Sequence, residues 1–153
     1  MNVPAQLWLA LHLPRLALEA NAPLASPSAV VDQGRVLLCD DAARQAGIEN
    51  GIGVAAARMR LPAITLMARK PSREAAALQL LACWAGSLTP RVSLTSDTVL
   101  LEIGSCLRLF GGLGKLLSLA QEGVRAQGFT LAFAVAPSPM GAQWLAGMRT
   151  EAL

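Results

Sequence analysis

Residues 96–112 read SDTVLLEIGSCLRLFGG, and the fold turns on how this stretch is read. Val99, Leu100, Leu101 and Ile103 form an apolar run broken only by Glu102 and bounded by Asp97-Thr98 and Gly104. That is the pattern of a well-buried central strand running into a glycine-gated loop. Loops at strand ends are natural places for a site. Upstream, Arg91–Leu94 reads as a second short strand, joined to the first through a Thr95-Ser96-Asp97 hairpin turn.

Moving outward, Pro71-Ser72-Arg73-Glu74 opens a helix with Ser72 as expected N-cap and Ala75, Leu78, Leu81, Ala82, Ala85 and Leu88 along one face. Thr89-Pro90 ends it. After Gly111-Gly112, Leu113, Leu116, Leu117, Ala120 and Val124 give a second amphipathic helix stopped by Gly128. Phe129–Ala136 then reads as a strand, and Ser138-Pro139 starts a last helix carrying Trp144 and Leu145. At the other end, Leu7–Leu13 (LWLALHL) is nearly all apolar, as a strand covered on both faces should be. Pro14 stops it.

Between Pro14 and Lys70 lie shorter pieces. Leu16–Ala20 is a short helical segment. Ala29–Val31 and Arg35–Cys39 flank an Asp32-Gln33-Gly34 turn. Asp40-Asp41 precedes a brief alanine-rich helix ended by Gly47, Val54–Arg60 is another helix, and Ile64–Met67 is a candidate strand. The adjacent carboxylates Asp40 and Asp41 suit helix capping better than Mg²⁺, because neighbouring residues seldom point the same way.

With 14–70 set aside as an insertion, the order is strand, helix, strand, strand, helix, strand. This α+β class is the ferredoxin-like βαββαβ pattern, built from residues 5–13 and 71–150. Its first strand and hairpin should lie side by side, and the loops after Leu13 and Ile103 are expected to meet at one end.

Composition agrees with one domain carrying a small insertion. Hydrophobic residues make up 54% and charged residues 15% of the 153 positions, which leaves apolar surface for a partner or for further chain. No run approaches the roughly 18 apolar residues of a membrane span, and no secretory leader is visible, so a cytoplasmic location is expected. Cys39, Cys83 and Cys106 are too widely spaced for a zinc site and read as free thiols. Arg58, Arg60, Arg69, Lys70 and Arg73 crowd together with no acid until Glu74, a patch that could face nucleic-acid phosphate or be a solvated face.

The phrases LWLALHLPRLALEA, RVLLCDDAARQAGI and LLEIGSCLRLFGG resemble the palm and fingers of Y-family translesion DNA polymerases, and within them the catalytically inactive, ImuB-like branch. The resemblance runs from about Leu7 to Ala146. It implies a ferredoxin-like palm with fingers (14–70) inserted after the first strand, and thumb and little-finger domains beyond this chain. Working members hold two Mg²⁺ ions with carboxylates. By resemblance, those positions fall on His12 and Pro14 at the end of the first strand and on Gly104 and Ser105 in the loop after Ile103, so no catalytic residue, metal or cofactor is expected. His12 reads as a hydrogen-bonded core histidine rather than a metal ligand. Of the family's triphosphate-gripping residues only Arg44 is kept, with Asp41, Ser138-Pro139 and Gln143 at the other positions.

The resemblance thus implies a non-catalytic adaptor of an error-prone lesion-bypass mutasome within the DNA-damage (SOS) response. Its partners would be the sliding clamp, a RecA-like accessory subunit and an error-prone C-family polymerase, reached mostly through segments beyond this chain. Two alternatives remain open: a weakly active nucleotidyltransferase using Asp40, Asp41 or Glu102, and a DNA-binding module using the basic patch from Arg58 to Arg73.

Overall fold

The computed structural model describes residues 5–21 and 24–151. They divide into two compact units, residues 5–14 with 75–151, and residues 15–21 with 24–74.

The first unit is built on a four-stranded antiparallel sheet of β1 (Trp8–His12), β5 (Val92–Leu94), β6 (Thr98–Glu102) and β7 (Ala132–Ala136), in the order β5-β6-β1-β7. β1 is central because it is apolar on both sides: Leu9, Ala10 and Leu11 are buried. Residues facing each other across a sheet share a face, so Leu9 joins Leu101, and Ala10 joins Leu100 and Ala134.

The two faces are covered differently. Ala10, Leu100, Ala134 and Ala136 pack with Ala142 and Ala146 of α6 (Pro139–Glu151), and Trp8 closes the cluster. Alanines on both sides let this helix lie close against the strands. The opposite face carries Leu9, Leu11, Val99 and Leu101, all buried. Leu78, Leu81 and Ala85 of α4 (Pro71–Ala85) and Leu116, Ala120 and Val124 of α5 (Leu113–Ala126) are buried as well.

α4 departs from expectation at both ends. It begins at Pro71 and stops at Ala85, so Ser72 lies within the first turn and is not the cap. Proline suits that first position because its missing N–H would be unpaired there anyway. The buried stripe runs through Glu74, Leu78, Leu81 and Ala85, with Ala75 exposed and Leu88 buried beyond the helix end. A carboxylate takes the place expected of an alanine because Arg69 grips it with two hydrogen bonds, of 2.9 and 3.0 Å.

The second unit contains α1 (Leu16–Glu19), β2 (Ser28–Asp32), β3 (Arg35–Cys39), α2 (Asp41–Gln45), α3 (Val54–Arg60) and β4 (Thr65–Ala68). Its strands run in the order β3-β2-β4, with β2 antiparallel to β3 and parallel to β4. Gln33 and Gly34, at φ 50 and 74°, form the left-handed pair that a tight hairpin needs. A core of Ala29, Val36, Cys39, Ala43, Ile48 and Ala57 closes the unit.

No helix among the described residues is long and apolar enough to cross a membrane.

Candidate functional site

The register of β1 against β6 fixes what can meet what. Trp8 faces Glu102 and His12 faces Thr98, so the end of β1 meets the beginning of β6. The backbone N–H of Leu13 donates to the carbonyl of Asp97 at 2.9 Å, extending the ladder to the hairpin turn. This corrects the expectation that the loops after Leu13 and Ile103 come together. They lie at opposite ends of the strand pair, Leu13 beside Asp97 and Ile103 beside Leu7, about 20 Å apart for the antiparallel rise between them.

At the Gly104 end, Glu102 holds a turn. Its carboxylate accepts from the Gly104 N–H at 2.9 Å, from the Ser105 hydroxyl at 2.9 Å and from the Leu7 N–H at 3.5 Å. Gly104 is required by crowding: a Cβ there would come 2.8 Å from the Ala5 carbonyl oxygen and 2.9 Å from the Glu102 carboxylate. Gly104 and Ser105 therefore do not sit beside His12 and Pro14.

The residues that do meet His12 come from the hairpin turn. Its Nδ1 lies 3.2 Å from the Thr98 hydroxyl and 3.5 Å from the Asp97 carboxylate. The Thr98 hydroxyl in turn donates to Asp97 at 2.9 Å. Thr98 is fully buried, while the Asp97 side chain is 46% exposed. Contact with His12 is the largest influence on Asp97; burial opposes it, and the Thr98 hydrogen bond adds to it, so the carboxyl is held below its ordinary range. His12 is thus a hydrogen-bonded, largely buried histidine with a carboxylate neighbour outside its own strand.

These three residues form one side of an open groove of about 450 Å³ whose other side is α6. Met140, Trp144 and Met148 line it from three successive turns, and Gln143 lines it too, donating to the Thr95 hydroxyl at 3.4 Å.

Other candidate residues lie in the second unit. Asp40 caps α2, accepting from the Ala43 N–H at 2.8 Å, and also from Ser26 and Ser28. Burial pushes its carboxyl up, but these hydrogen bonds outweigh it and leave the group below its ordinary range. Asp41 is 3.5 Å from Arg15, and Arg44 is exposed on the same helix. The basic cluster is only partly free. Arg69 is paired with Glu74 and Asp32, and Arg60 donates to the Gly47 carbonyl at 2.8 Å. Arg58, Lys70 and Arg73 are exposed.

Asp97 and Thr98 were not singled out as site residues from sequence, nor were Met140 and Met148. The signal for the first two existed. A ferredoxin-like sheet is antiparallel between its first and third strands, so the end of β1 has to face the start of β6.

Residues 16–147 match the impB/mucB/samB family, described as IMS. Among solved structures, the chain is similar to a ternary complex of Dbh with partially disordered substrates (TM-score 0.71, 16% identity, 93% of this chain and 45% of that one). An insertion ternary complex of Dbh DNA polymerase gives 0.72, with 16% identity over 93% and 46%. DinB from Sulfolobus solfataricus gives 0.67, with 14% identity over 93% and 45%. The chain therefore spans about half the length of these structures, and shares with them the fold of the Y-family palm and fingers region. Comparison with curated proteins finds no match.

Proposed function

The chain belongs to the impB/mucB/samB family, and from that premise we propose that it is the polymerase-like portion of a non-catalytic, ImuB-like adaptor in error-prone lesion bypass. The observation that carries this reading is the donor set where β1 meets the hairpin. Two-metal phosphoryl transfer needs carboxylates that bridge two cations, and Mg²⁺ takes about six oxygen ligands in a strict octahedron. Here the strand end offers His12 and Pro14, and the turn offers the single carboxylate of Asp97, one oxygen of which is engaged by His12 and Thr98. This set does not fit a pair of hard cations, and no catalytic step is assigned to it.

As an adaptor, the whole protein would assemble a sliding clamp, a RecA-like accessory subunit and a separate C-family polymerase. Pull-down of the full-length protein against each partner tests the assembly, and primer extension with Mg²⁺ or Mn²⁺ tests the chemistry. We expect partner capture without nucleotide incorporation. Robust incorporation abolished by Asp97→Ala would contradict the reading.

A second role, DNA contact through Arg58, Lys70 and Arg73, is supported by their exposure and is compatible with the first. The nucleotidyltransferase alternative is disfavoured by geometry, since Asp40 is engaged in capping and Glu102 in holding the Gly104 turn.

A further inference from the structure

The groove between the hairpin turn and α6 combines two features. Met140, Trp144 and Met148 recur every fourth residue on α6, so they stand on one face of that helix. They are 80%, 69% and 51% exposed, whereas Ala142 and Ala146 are fully buried against the sheet. A helix that has already buried its small side and still presents two methionines and a tryptophan has an unfilled contact surface. Exposed tryptophan supplies much binding energy when covered, and methionine adapts to varied apolar partners.

The second feature is the charge opposite. Asp97 is half exposed on the groove wall and is held in its ionised form by His12 and Thr98. Among the described residues, no lysine or arginine lines the groove. A phosphate-bearing ligand would meet this carboxylate with only His12, already set against it at 3.5 Å, to offset it, whereas a lysine or arginine flanked by apolar side chains would satisfy both walls. We propose that this groove docks a peptide segment of a partner protein that carries one basic residue between apolar anchors, the cation against Asp97 and the anchors on Trp144 and the two methionines. The groove's own chemistry carries this, and it deepens the adaptor reading by naming what an adaptor would hold here.

The test uses the full chain and two fluorescein-labelled panels of decapeptides. One panel carries a single arginine among leucine, methionine and phenylalanine at two to four residues' distance; the other has glutamate in its place. Fluorescence anisotropy should show binding of the arginine panel and not the glutamate panel. Asp97→Asn should weaken that binding about threefold, as loss of a half-exposed charge partner does. Trp144→Ala should weaken it about thirtyfold, in the range of an interface hot spot. Gly147 lines the groove and a Cβ there meets no atom within 4 Å, so the side chain of Gly147→Leu starts in open space and should also block binding, with an unchanged circular dichroism spectrum as the control for folding.

Equal binding of both panels, or binding indifferent to all three substitutions, overturns the proposal. Quenching of Trp144 by a deoxynucleoside triphosphate with Mg²⁺, without peptide binding, overturns it in favour of a nucleotide. Concentration-dependent self-association abolished by Asp97→Asn, again without peptide binding, overturns it in favour of a second copy of the chain. Primer extension is read separately, so failure of the adaptor reading is distinguishable from failure of the docking proposal.

Discussion

Individual side chains here do structural work that their types alone do not announce. Glu102 is a buried carboxylate that holds a turn, and Gly104 is the only residue type its surroundings admit. Gly104→Ala should therefore destabilise the protein by about 1–3 kcal/mol, the usual cost of overpacking, measured by urea unfolding. Glu102→Ala leaves the Gly104 N–H short of its acceptor and should cost a similar amount, about 1–3 kcal/mol. Asp40 and Asp97 give the acid limb of stability. Both carboxyls are held below their ordinary, unfolded-chain value in the folded chain. Their contribution is thus fully present above that unfolded value and is lost as pH falls through the lower folded ones. Thermal melts between pH 5 and 2, as orders of magnitude for such groups, should show a steep decline that is shallower in Asp40→Asn.

At the level of elements, register decides more than composition. The strand Thr98–Glu102 was legible from its apolar run, as were the helices on either side of the hairpin, because their periodicities are clear. The meeting of His12 with Thr98 was not taken from the same sequence, since it depends on strand direction and not on local pattern. Similarly, Ser72 looked like a cap because serine often is one, but Pro71 already holds the first helical position. The basic run from Arg58 to Arg73 looked continuous, yet Arg69 turns back to Glu74 and Asp32, contacts that a linear reading does not reveal. Helix packing offers a sharp check. A Cβ on Gly123 of α5 would collide with the ring of Trp84 on α4, so Gly123→Ala forces the indole to move. The expected loss is about 2 kcal/mol, within the range for overpacked sites, read as a lowered thermal midpoint. A companion Trp84→Leu change should relieve the clash and recover part of it.

For the whole molecule, the family match and the fold point to polymerase ancestry, while the donor set at the end of β1 carries the proposed loss of chemistry. Net charge is +3, too small by itself to drive strong nucleic-acid binding. If Arg58, Lys70 and Arg73 touch phosphate, binding of primer-template DNA should weaken with salt, and Arg58→Ala should lower the slope by about one counterion. Insensitivity to both would remove the DNA role and leave protein assembly. The central claim, that the junction of β1 with the hairpin no longer hosts a metal pair, is reached most directly by titrating the chain with Mn²⁺ and following free ion by electron paramagnetic resonance. The account predicts no stoichiometric binding and no difference between the native chain and Asp97→Asn; saturable uptake that Asp97→Asn abolishes would contradict it.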